Sequence, residues 1–147
     1  DSVSENDLHD FFTALQSDFL MDGKVLIGQQ RQSGDLAGQF RLEQAALREL
    51  PLLHIERFLP ALMRLTLLSN EVRDDLIERF ITPLERESRE TIDAFCRANL
   101  NVSLTAKHLF LHRNSLQYRL DRLTEQTEID IRSFEGAMFL YMLLLVA

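Results

Sequence analysis

The 147-residue chain is 46% apolar and 27% charged, enough to close the core of one domain or of a small domain with an attached half. Its net charge of −7 is uneven: residues 1–96 carry ten Lys and Arg against eighteen Asp and Glu, a net of −8, whereas residues 97–122 set Arg97, Lys107, Arg113, Arg119 and Arg122 against Asp121 alone, a net of +4. A single cysteine, Cys96, excludes an intramolecular disulfide, and the longest apolar run, 137–147, is about half the ~20 residues a membrane helix needs.

In chain order, Leu8, Phe11, Phe12, Leu15, Phe19 and Leu20 recur at spacings of three and four, which predicts a helix over 5–20 with Ser4 placed to cap it. Asp22-Gly23 is a turn dipeptide, and the apolar run at 24–29 reads as a short strand. Leu36, Phe40, Leu47 and Leu50 predict a helix over 35–50 that Pro51 ends. Residues 52–59 are ambiguous, with Leu53, Ile55 and Arg57 alternating as in a strand; helical composition resumes at 60–69. Val72, Leu76, Ile77 and Phe80 mark one face of a helix over 71–81, interrupted by Pro83. A connecting helix is expected around 84–99. The terminal run 137–147 is apolar on every side, so as a helix it must thread the domain or be shared with a second copy. The fold class is mainly α, a helical bundle with a C-terminal helix-turn-helix and one or two short strands in the N-terminal half. The expected division is 1–88 as a helical segment and 89–147 as the DNA-binding domain.

The basic window coincides with a two-helix pattern, TAKHLFLHRNSLQYRLDRL, over 105–123. Asn101 and Ser103 are natural N-caps for a first helix near 104–109, whose free amides can also hold a phosphate. Ala106 is small where two helices would cross, and Leu109 and Leu111 are apolar plugs on either side of a turn. A second helix beginning near 112–114 and running to about 124 has one buried stripe, Leu116, Leu120 and Leu123. That stripe turns Asn114, Tyr118 and Asp121 outward, with Arg113 and Gln117 on one flank and Ser115 and Arg122 on the other. Arg113 can pair bidentately with guanine and Gln117 with adenine in the major groove of double-stranded DNA. Ser115, Tyr118, Arg119 and Arg122 suit phosphate or sugar, and Asn101, Ser103, Lys107, His112 and Asn114 complete the expected DNA-binding set.

Residues Thr105, Ala106, Leu109, His112, Arg113, Asn114, Leu116, Tyr118, Arg119 and Leu120, with Ser115 in place of Thr, resemble the motif T-A-x-x-L-x-x-H-R-N-T-L-x-Y-R-L. That motif belongs to the C-terminal helix-turn-helix of bacterial transcriptional regulators of the PucR/CdaR type, for purine catabolism and sugar diacids. Asn101 to Ser103, Thr127, Asp130 and Ile131 extend the resemblance over about 91–147. Two positions depart from glycine: Phe110, in a turn where many helix-turn-helix proteins have it, and Glu128, where this family often does. Residues 20–90 resemble more loosely the end of the degenerate cyclase-like domain that precedes this unit in the family, through Ile27-Gly28 and the run at 43–47, but no GGDEF-type signature is present. The resemblance implies a sequence-specific DNA-binding regulator with a small-molecule effector site in a sensory domain outside these residues; the all-apolar terminal helix suggests a homodimer, and the single cysteine with the polar start a cytoplasmic protein.

An enzyme needs converging acids, bases or metal ligands, and the four histidines at 9, 54, 108 and 112 supply none. His108 and His112 have metal-pair spacing, but the expected turn falls between them. No catalytic residue, metal or cofactor is therefore expected, and the acidic polar start is not a signal peptide. The competing function is a protein-interaction or ligand-sensing helical module that does not bind DNA itself.

Overall fold

A computed structural model describes residues 4–19, 23–28, 36–50 and 54–147. Leu20 and Leu53 of the expected patterns, and Pro51, lie outside the described residues. Packing divides the chain into two compact units, residues 1–61 and 62–147.

The first unit opens with helix α1, Glu5–Phe19. Strands β1, Lys24–Ile27, and β2, His54–Arg57, are parallel, with Lys24 opposite His54 and Ile27 opposite Arg57. Parallel neighbours need a crossover, which helix α2, Leu36–Glu49, lies along the chain to provide. Lys24 Nζ donates to the Arg48 carbonyl at 2.8 Å, placing a cation at the negative end of α2. The two short strands thus lie in the apolar run at 24–29 and in the ambiguous, alternating segment at 52–59.

Helix α3, Phe58–Leu68, starts earlier than its composition suggested and carries Pro60 in its first turn, where the missing N–H has no helical acceptor to lose. In the second unit, helix α4, Asn70–Phe80, is capped by Ser69, whose hydroxyl accepts from the Val72 amide at 3.3 Å. Helices α5 (Arg86–Arg97), α6 (Val102–His108), α7 (Arg113–Thr127) and α8 (Phe134–Val146) follow. Helix α8 packs against α4 and α5, burying Phe139, Leu140 and Leu143, and Phe80 meets Phe139 edge-on at 5.4 Å. Its uniform apolar character is only partly used, because Phe134, Met138, Leu145 and Val146 remain exposed. Helix α5 touches α6, α7 and α8, so it is the strut that carries the helical pair on the bundle. The mainly α class with a small sheet agrees with the composition and periodicity.

Candidate nucleic-acid interface

Helices α6 and α7 pack against one another around Ala106, Leu116, Leu120 and Leu123, all buried. Asn101 is the N-cap of α6: its Oδ1 accepts from the Leu104 amide at 3.0 Å, and its carbonyl accepts from Thr105 Oγ1 at 2.8 Å. Ser103 is not the cap; it sits exposed in the first turn, near Leu104. The α6 C-terminus closes with the Phe110 amide bonded to the Lys107 carbonyl and the Leu111 amide to the Ala106 carbonyl at 2.8 Å. This is a Schellman arrangement, which requires the left-handed backbone found at Phe110, φ 55°.

The chain then enters α7 through His112, whose Nδ1 accepts from the Asn114 amide at 3.3 Å. An accepting Nδ1 leaves the proton on Nε2, free to donate outward. His108 ends α6 and His112 caps α7, so the two imidazoles belong to different helices. Arg113, Asn114, Ser115, Gln117, Tyr118 and Asp121 are all exposed on α7, as the Leu116–Leu120–Leu123 stripe requires.

The structure separates the basic residues into two groups. Arg97 pairs with Asp93 at 2.8 Å, Arg119 with Glu87 at 3.2 Å and Arg122 with Glu85 at 3.2 Å. Lys107 and Arg113 are exposed and form no ion pair among the described residues. The acidic partners at the start of α5 lie more than thirty positions in sequence from the arginines they pair with. Nothing in the local pattern marks them, because the pairing is created by tertiary packing.

The far end of α7 is fixed just as closely. Thr127 Oγ1 donates to the Leu123 carbonyl at 2.8 Å and accepts from the Ile129 amide at 3.2 Å, and Glu128 takes the left-handed cap, φ 56°. Asp130 Oδ1 accepts from the Arg132 amide, and Ile131 is fully buried. Arg132 reaches back to α7, donating to the Gln117 carbonyl at 3.2 Å and pairing with Asp121 at 2.9 Å. The residues that extended the sequence motif past α7 thus form the joint between α7 and α8. Arg132 is an addition that the sequence pattern did not single out.

Cys96 lines a shallow groove of about 320 Å³ between α5 and α8, with Leu100, Phe134, Met138 and Tyr141. Burial, with the nearby Asp93 charge, pushes its thiol up to about 11, and Sγ lies 3.6 Å from the Ala137 carbonyl. Among the described residues no helix is long and apolar enough to cross a membrane.

Comparison with known proteins places this geometry. Residues 89–146 match the PucR C-terminal helix-turn-helix domain. The chain is 54% identical over 61 residues to the uncharacterized protein YxkF of Bacillus subtilis and 43% identical over 56 residues to the carbohydrate diacid regulator of Escherichia coli. These stretches cover 42% and 38% of this chain but only 20% and 14% of those relatives. The crystal structure of a regulator of polyketide synthase expression from Bifidobacterium adolescentis aligns with a TM-score of 0.54 at 25% identity, over 61% of this chain and 40% of that one. From most of α5 to the end of α8 the chain is therefore similar to the PucR C-terminal helix-turn-helix domain.

Proposed function

We propose that this chain is the DNA-reading part of a transcriptional regulator, with α7 lying in the major groove of double-stranded DNA. The observation that carries this reading is the exposed face of α7 beginning at Arg113, held by a buried stripe and preceded by a short helix on the same scaffold. Arg113 reads guanine and Gln117 reads adenine, with Asn114 beside them. Asn101, Ser103, Lys107, His112, Ser115 and Tyr118 contact phosphate or sugar, joined by Arg119 and Arg122 when their carboxylate partners release them. Relatives named as a carbohydrate diacid regulator and as the proline-responsive transcriptional activator PutR support the regulatory role. The DNA-binding domain spans 89–147, and an effector domain is supplied by parts of the protein outside the matched segment.

The regulator works as a homodimer in the cytoplasm. The apolar stripe of Phe134, Met138, Tyr141 and Leu145, at spacings of four, three and four on α8, supports a second copy. Half-sites then lie about 34 Å apart, one turn of DNA, or a multiple of that. Selection of bound duplexes from a random library at near-physiological salt tests the function. A recurring site that an Arg113→Ala, Gln117→Ala variant no longer enriches is the expected result. Equal enrichment by both proteins removes the base-reading assignment, and no enrichment by either favours an interaction module.

A further inference from the structure

Glu85 and Glu87 stand at the start of α5, where a carboxylate is ordinarily explained by the helix dipole or by capping. Glu85 occupies the N-cap position yet makes no side-chain capping bond. Its Oε1 instead lies 3.2 Å from Arg122 Nη2, while Glu87 Oε2 lies 3.2 Å from Arg119 Nη2. Both arginines belong to α7, so two acidic side chains of the supporting helix occupy two cations of the candidate reading helix.

We propose that Glu85 and Glu87 are specificity-determining residues that withhold Arg119 and Arg122 from indiscriminate phosphate contact. The proposal rests on the DNA-reading function above. Sequence-independent affinity grows with each phosphate that a protein neutralises, because each releases condensed counterions. With Arg97 also tied to Asp93, only Lys107 and Arg113 of the basic window lack an ion pair among the described residues. Non-specific binding then runs on few charges. Both pairs reach solvent, with Arg122 at 48% side-chain exposure and the half-buried Arg119 at 28%. Exposed pairs bias a guanidinium only weakly, by about 1.5-fold to 5-fold each. A phosphate held in register by base contacts can therefore take the guanidinium, while a briefly met, unaligned backbone gains less from it.

The test uses the full chain, a Glu85→Gln, Glu87→Gln variant, and a charge-matched control, Asp75→Asn, Glu78→Gln. The control residues are exposed on α4 and form no ion pair among the described residues. Affinity for a random-sequence duplex and for a selected duplex is measured across a salt series. The α5 variant is expected to bind the random duplex roughly 2-fold to 25-fold more tightly, with a salt slope steeper by about one to two. The selected duplex gains less, so discrimination narrows, and the control keeps the original slope. Binding with an unchanged slope, an equal effect of the α4 control, or weaker binding to the selected duplex overturns the inference while leaving the function standing. No binding by wild type and variant alike overturns the DNA-reading function and the inference with it.

Discussion

Phe110 combines a left-handed backbone, φ 55°, with a side chain that is 96% exposed, so it gains little from burial while carrying strain that glycine would not. Phe110→Gly is therefore expected to raise stability by about 0.5–1 kcal/mol, read as a higher unfolding midpoint in denaturant. An unchanged or lower midpoint would show that the phenyl ring contributes to the fold despite its exposure. Cys96 makes the opposite case, a group whose surroundings decide its chemistry. Its thiol is raised from 9.0 to about 11, first by burial and then by Asp93. At neutral pH it stays protonated, and native protein should react with a thiol reagent more slowly than unfolded chain. The sign of the linked stability follows. Between pH 9 and about 11 the unfolded chain has lost a proton that the folded chain keeps, so stability falls as pH rises through that window. Cys96→Ala should flatten that part of the pH profile, and an identical alkaline loss in the variant would assign the effect to other groups.

At the scale of elements, the junction between α7 and α8 brings Arg132 back onto α7. A Cβ added at Gly136 would meet the Asp130 carbonyl oxygen at 2.1 Å, and this oxygen also accepts from Ser133 Oγ. Backbone must move to admit it, so Gly136→Ala should cost about 1–3 kcal/mol and disturb the turn that supplies Arg132 to α7. Leu120→Ala, in the fully buried stripe of α7, should cost about 2–5 kcal/mol in the same measurement. These elements were legible to different degrees. Helical spacing located α1 and α4, and the cap, turn and apolar stripe located α6 and the start of α7 within a residue or two, because those signals are local; α7 runs three residues past its expected end. The two strands were visible only as a short apolar run and an ambiguous alternating segment. Their parallel partnership across α2 is non-local, as are the bridges from Glu85, Glu87 and Arg132 to α7. Side-chain types said which residues of 105–123 could face DNA; only packing showed that two of the arginines are already occupied.

For the whole molecule, the acidic remainder and the confined basic face favour selective over indiscriminate binding of DNA. The matched stretches occupy a fifth or less of the lengths of YxkF and the carbohydrate diacid regulator, so effector control is proposed to come from outside the helix-turn-helix domain. The two kinds of contact should separate in binding. Arg113→Ala is expected to cost about 1–3 kcal/mol at a selected site and to weaken random duplex by less, whereas Arg122→Ala should weaken the selected site and flatten its salt dependence while changing random duplex little, because Glu85 holds that guanidinium there. The most direct measurement replaces each guanine of a selected site in turn with 7-deazaguanine, which removes the major-groove N7 acceptor and keeps base pairing. One replacement should weaken wild-type binding by about fivefold or more and leave the Arg113→Ala variant unaffected. Equal affinity across all replacements, or the same loss in the variant, would contradict major-groove reading by Arg113.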